Sequence, residues 1–217
     1  MKKIIQISSL AFSLMAVMVF SGCATTQAHI PLSYNAQTGV SKLTEAQTVM
    51  ANVVVSDQRA DKTSVGAKKN GYGMEMASII ATNDVAELVK SAIVTELADR
   101  GFNIGTNNAA SIIAELNTFR NDFKIGFWSG DAVAQVIINV TVKSQTGEIV
   151  YSKLISGQGE NPHIQIASGE NAEVALDAAL KDAMDKMFGD KAFIEALLKP
   201  AKPLVTLSST EAKGLPQ

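Results

Sequence analysis

An α+β fold is predicted by three features: one domain on a mainly antiparallel twisted sheet, a three- to four-stranded meander plus an N-terminal strand, with two principal helices packed on one face. Val136, Ile138, Val140 and Val142 alternate with Gln135, Ile137, Asn139 and Thr141, the cleanest period of two in the chain. Val85, Leu88, Val89, Ala92, Ile93 and Leu97 recur at helical spacing, as do Leu176, Ala179, Leu180, Ala183 and Met187. The order strand, helix, strands, helix then separates the two element types along the chain instead of alternating them.

In order along the chain, Val49 to Val55 is the first strand candidate and ends in Ser56-Asp57-Gln58-Arg59. Gly66, Asn70-Gly71 and Gly73 punctuate a loop or hairpin before the apolar stretch Met74 to Ile80. Asn83 or Asp84 supplies the side-chain oxygen that caps the orphan amides of the first helix. Gly101 ends that helix, because a residue without Cβ takes the left-handed conformation just past a helix. Leu88, Val89 and Ile93 are the positions expected to lie buried against the sheet.

Phe102 to Ile104 leads into a strand over Ala110 to Thr118, where Ile112, Ala114 and Leu116 alternate with Ile113, Glu115 and Asn117. Arg120 to Trp128 reads as another strand, with Phe123, Ile125 and Phe127 on one face and Lys124, Gly126 and Trp128 on the other, turned by Ser129-Gly130-Asp131. After the period-two strand, Gln145-Thr146-Gly147 makes a hairpin turn and Ile149 to Ser156 returns, which closes an antiparallel meander over 110 to 156. Ser168 or Asn171 starts the second helix, which Gly189 closes. Asp190 caps a third, short helix from Lys191 to Leu198 that stops at Pro200.

The ends of the chain read differently from its middle. Lys2 and Lys3 precede an apolar run from Ile4 to Phe20 and then Ser21-Gly22-Cys23, the pattern of a bacterial secretory signal with a cysteine where a lipobox places it. The run is interrupted by Gln6, Ser8, Ser9 and Ser13, and compares poorly with the roughly 20 apolar residues of a spanning helix. Residues 1–22 are therefore expected to be removed. Cys23, the sole cysteine, would carry diacylglycerol and an N-acyl chain, and several acyl chains anchor where one binds marginally. In proteins of this kind, a residue other than Asp after the cysteine, here Ala24, goes with export to the outer membrane. Residues 23–48 read as the lipidated N-terminus and a flexible tether, 49–198 as an α+β periplasmic domain, and 199–217 as a disordered tail too polar to bury itself.

Composition narrows the function classes. Without residues 1–22 the chain has 195 residues and 17 Lys plus Arg against 21 Asp plus Glu, a formal charge of −4 that attracts no nucleic acid. With Cys23 acylated no thiol remains for a disulfide or a nucleophile.

The lipobox, the early strand running into Asp57-Gln58-Arg59, the stretch Asp99-Arg100-Gly101-Phe102-Asn103-Ile104-Gly105 after the first helix and the Gln145-Thr146-Gly147 turn together resemble the YajG family of lipoproteins. The likeness runs over about residues 10 to 198. It implies a small envelope lipoprotein with this architecture, and brings no catalytic residue with it.

Candidate chemistry is sparse. Asp57, Arg59 and Asp61 could build a site, yet a strand-end ion pair that fixes a loop is the simpler reading, since no base or nucleophile accompanies them. His29 and His163 lack a second ligand at metal-binding spacing, and Asn161-Pro162-His163 reads as a turn. No Gly-x-Ser-x-Gly elbow or phosphate loop is present. Phe119, Phe123, Phe127 and Trp128 form the one aromatic cluster, with Phe123 and Phe127 assigned to the core and Trp128 to recognition of a partner.

These readings lead to an outer-membrane-anchored periplasmic lipoprotein that binds or scaffolds an envelope protein, through a sheet edge or through Trp128. Such a protein has no cofactor beyond the lipid on Cys23 and no catalytic activity. The alternatives are an envelope enzyme acting on peptidoglycan or lipid, which needs a perturbed carboxylate among Asp57, Asp61, Glu75 and Glu160, and a small lipid or ligand carrier.

Overall fold

The computed structural model describes residues 25–107 and 109–199; Cys23, the signal segment and the tail beyond Lys199 lie outside the described residues. Among the described residues eight strands and three α-helices follow one another as β1 (Ala28–Ile30), β2 (Met50–Asp57), β3 (Ser64–Lys69), β4 (Glu75–Ala81), α1 (Val85–Asp99), β5 (Asn103–Ile104), β6 (Ala110–Lys124), β7 (Gly130–Lys143), β8 (Ile149–Ile164), α2 (Gly169–Gly189) and α3 (Lys191–Leu198), with a short 3-10 turn over Glu45–Thr48 before β2. A five-stranded sheet has the order β5-β2-β6-β7-β8, and a smaller one the order β1-β4-β3. The fold is the mixed α+β class read from the sequence.

Local chemistry sets the helix ends. Asp84 Oδ1 accepts from the amides of Ala86 (2.8 Å) and Glu87 (3.1 Å) at the start of α1, and Gly101 follows the helix at φ +93°. Ser168 Oγ accepts from Asn171 N at 3.3 Å to start α2, and Asp190 Oδ1 accepts from Ala192 N at 3.0 Å to start α3. On α1, Val89, Ala92, Ile93 and Leu97 are buried. Leu88 is only half-buried, because it sits at the margin of that stripe. The buried floor beneath the helices comes from alternate residues of β6 and β7: Ile112, Ala114 and Leu116, then Val136, Ile138, Val140 and Val142.

The helix layer approaches β8 through small residues. A Cβ built on Gly157 would stand 2.2 Å from the Ala179 carbonyl oxygen and 2.6 Å from Ala183 N; one on Gly159 would stand 2.1 Å from the Ala175 carbonyl oxygen. Glycines on the strand and alanines on α2 thus let backbone meet backbone.

Four sequence expectations are corrected. Of the stretch read as a separate strand from Arg120 to Trp128, residues 120–124 are the distal part of one 15-residue strand, β6, whose register slips between Leu116 and Thr118, and residues 125–128 lie past its end. That bulge shifts the alternation by one, so one strand reads as two. Phe127, assigned to the core, lies past the end of β6 and is 91% exposed. The stretch Asn161-Pro162-His163 continues β8 rather than turning, with His163 at φ +60° near its end. Finally, the segment read as a tether is folded from Ala28 onward: β1 pairs in parallel with β4, and Ile30 and Leu32 are buried.

That last segment acts as a strap over the helices. Leu32 N donates to Asn83 Oδ1 at 3.0 Å, Ser33 Oγ to Asp177 Oδ2 at 2.7 Å, and Gln37 Nε2 to Asp185 Oδ1 at 2.7 Å. The cation–carboxylate pair Arg100–Glu96, 2.5 Å apart at the C-terminal end of α1, is closed by Tyr34 from the strap and by the Phe188 ring from α2, over which the guanidinium lies at 4.5 Å.

Candidate functional site

The carboxylates singled out in the sequence are structural. Asp57 ends β2 and grips Arg59 with both oxygens, at 3.0 Å to Nε and 2.8 Å to Nη2. Arg59 in turn donates to the carbonyls of Lys62, Ser64 and Phe119, so one largely buried guanidinium ties the loop, β3 and β6 together. Burial of Asp57 opposes its ionisation, but the bonds from Arg59 outweigh it and hold the carboxyl below its ordinary range. Asp61 is exposed, and bonds from the Thr63 hydroxyl and the Ser64 and Thr63 amides hold it low as well. Both groups are stabilised as anions, the reverse of a general acid. The strand-end ion pair is therefore the reading that the geometry supports, though far less exposed than expected.

The remaining polar candidates are dispersed. Glu75 pairs with Arg120 at 3.3 Å on the surface, and Glu160 is exposed on β8. His29 sits exposed in β1, and His163 donates its amide to Asp131 Oδ1 at 3.1 Å. Among the described residues no group of three His, Cys, Asp or Glu side chains comes together to hold a metal.

The aromatic cluster divides in two. Phe119 and Phe123 are buried, whereas Phe127 and Trp128 project from the β6–β7 turn at 91% and 85% exposure, stacked edge to face at 4.8 Å. Trp128 and Phe127 are both exposed because the strand has ended before either residue, so the alternation that set them on opposite faces does not apply to them.

Two surfaces remain that the periodicity did not locate. The first is the face of the large sheet turned away from the helices, where Arg120, Asp122, Gln135, Gln158 and Glu160 border an open groove of about 580 Å³. Burial works to raise the Asp122 carboxyl, but Lys69 Nζ at 2.5 Å draws it below its usual range. The groove therefore carries fixed charges of both signs.

The second is the outer edge of β8, the terminal strand of its sheet. Gln158 N donates to Asp182 Oδ2 at 2.8 Å, and the Ser156 carbonyl accepts from Lys186 Nζ at 2.8 Å. Asp182 and Lys186 are themselves paired one helical turn apart at 2.7 Å, so α2 caps this half of the edge with side chains. In a strand, alternate residues turn both backbone groups the same way, so Leu154 and Ser152 also face outward. Ile149 and Leu154 are 60% and 58% exposed, and Leu154 lines a groove of about 620 Å³ formed with Lys186 and Gly189–Lys191. The signal that could have located this edge is Ile149 to Leu154 itself, where Ile149, Val150, Tyr151 and Leu154 stand at an end of the meander with no strand after it.

Among the described residues no helix is long and apolar enough to cross a membrane. A family model described as "Uncharacterized lipoprotein" matches residues 36–198. Among solved structures, the crystal structure of a Xanthomonas campestris protein with family model DUF330 aligns at TM-score 0.49 and 13% identity, over 76% of this chain and 93% of that one. A second, described as an uncharacterized protein, aligns at TM-score 0.36 and 10% identity over 75% and 94%. No curated protein matches the chain.

Proposed function

The chain belongs to this family of uncharacterized lipoproteins, and from that premise we propose that it is an accessory binding protein of the cell envelope. In this reading acyl lipid on Cys23 holds it at the outer membrane, the folded domain faces the periplasm, and a protein partner pairs with the outer edge of β8. It performs no reaction of its own and uses no cofactor besides the lipid.

The observation that carries the reading is the unequal treatment of that edge. Edge strands expose a row of unpaired amides and carbonyls, and folds that keep such an edge solitary blunt it along its length. Here Asp182 and Lys186 cap only Gln158 and Ser156. The half around Ser152 and Leu154 keeps its apolar side chains in solvent. An extended segment of a partner could add to it as a further strand, with the backbone giving affinity and the groove by Lys186 giving choice of side chain. The ionised state of Asp57 and Asp61 supports binding over catalysis, because neither is poised to give or take a proton near neutral pH.

Site-directed photocrosslinking in cells tests this. A crosslinker at Ser152 should give a discrete protein adduct, and Leu154→Pro, which removes an outward amide without touching the β7 ladder, should abolish it. No adduct from 152, or one indifferent to the proline, overturns the edge-pairing reading.

A further inference from the structure

Three features meet at one pole of the molecule. Arg59 Nη1 bonds the carbonyls of both Ser64 and Phe119 at 3.4 Å, a Cβ on Gly66 would lie 3.0 Å from the Asn121 carbonyl oxygen, and Lys69 pairs with Asp122 at 2.5 Å. β3 therefore advances beside the distal half of β6 in the same direction. The turn after β3 and the turn after β6 open at the same end. The first carries Tyr72, 91% exposed, and Met74, 58% exposed; the second carries Phe127 and Trp128.

The third feature is the direction of the chain before β1. β4 runs back from this pole and β1 runs parallel to it, with Ala28 opposite Ile79, which itself faces Gly66. The chain preceding Ala28 thus arrives from the pole that bears the four exposed side chains. Cys23 lies five residues before Ala28, a reach of at most about 18 Å. Phe127 lies six residues beyond Asn121, the level of Ala28, which at strand rise is at most about 20 Å. An anchor at Cys23 therefore reaches, at full extension, about as far as the plane of the aromatic tips and not beyond it.

We infer that this pole rests on the bilayer that holds the lipid, with Tyr72, Met74, Phe127 and Trp128 seated in the headgroup layer. The inference rests on the acylation of Cys23 proposed above. Aromatic rings with a polar edge favour the membrane–water interface, and a short tether converts a weak surface preference into a stable orientation. Exposed Lys124 at the end of β6 suits the phosphates of the same layer. The 14-residue β7 then stands away from the membrane by up to roughly 46 Å, which carries the open edge around Leu154 toward the periplasm.

Trp128 is the only tryptophan, so its fluorescence reports this pole alone. The mature acylated protein is reconstituted in phosphatidylethanolamine/phosphatidylglycerol vesicles and compared with the Cys23→Ser protein in buffer. The expected result is a blue-shifted emission, quenched by lipids brominated near the top of their chains and shielded from aqueous iodide. The Tyr72→Ser/Phe127→Ser variant should lose most of that shift while its circular dichroism and vesicle attachment stay unchanged. A vesicle-bound, acylated protein whose Trp128 emits as a water-exposed indole overturns the inference and leaves the anchor standing, the pole then being free for a protein. Absence of acyl mass on Cys23 removes the anchor and this orientation together.

Discussion

Gly159 lies so close beneath Ala175 that a Cβ placed on it would stand 2.1 Å from the Ala175 carbonyl oxygen, with no flexible side chain in between to give way. The same holds for Gly157 under Ala179. Gly159→Ala or Gly157→Ala must push α2 off β8, and overpacking of this kind costs about 1 to 3 kcal/mol or more. Because the obstacle is backbone, the upper end is expected, while Gly71→Ala, with nothing within 4 Å of its Cβ, should stay within about 0.5 kcal/mol of wild type. Denaturant unfolding monitored by circular dichroism measures both.

The core of α1 is deepest at Val89, Ile93 and Leu97, all at 0% exposure. Ile93→Ala should cost about 2 to 5 kcal/mol, and half-buried Leu88→Ala clearly less, in the same unfolding measurement. Equal losses at the two positions would mean that the helix is rotated from the packing described.

Much of this fold was legible because its signals are local. Asp84, Ser168 and Asp190 cap helices through bonds spanning two or three residues, and Gly101 and Gly147 take positive φ where a helix or hairpin ends. What escaped depends on distant partners. Ile30, Leu32 and Tyr34 make no recognisable run, and they are ordered by Ala81, Asn83 and Glu96, 50 or more positions away, so the strap read as a tether. The β6 bulge hid the continuity of that strand, since period-two reasoning resets wherever one residue is inserted. Of the candidate site, the exposure of Trp128 comes from the turn after β6 and not from the strand alternation that singled it out, and the half-capped edge of β8 needed the position of α2, which no periodicity encodes.

Removing one member of the buried Glu96–Arg100 pair should be severe. Glu96 accepts from Tyr34 Oη at 2.5 Å and Gln37 N at 2.8 Å as well as from Arg100, so Glu96→Ala strands an uncompensated guanidinium, at a cost of about 3 to 5 kcal/mol. Replacing both together, Glu96→Leu with Arg100→Met, should recover much of the loss. Limited proteolysis of residues 31–44 should track the single variant, because the strap loses its attachment to α1.

Acid stability follows from the carboxylates. Asp57, Asp122 and Asp182 each work against burial and are drawn below their ordinary range by Arg59, Lys69 and Lys186 respectively. A depressed folded-state value means stabilisation that is complete above the unfolded value of roughly 4 and is lost as pH falls through the lower, folded one. Melting temperature should therefore be flat above about pH 5 and fall steeply below pH 4, and Asp57→Asn should lower the plateau and make that acid limb shallower. A steep limb retained in full by Asp57→Asn would assign it to the other carboxylates.

Everything proposed for this protein in the envelope depends on Cys23. The most direct test is the intact mass of the membrane-extracted protein together with that of its N-terminal peptide. The account predicts a chain that begins at Cys23, lacks residues 1–22 and carries diacylglycerol and an N-acyl group, with Cys23→Ser lost from the membrane fraction. An unmodified Cys23, or a Cys23→Ser protein that stays at the membrane, would contradict it.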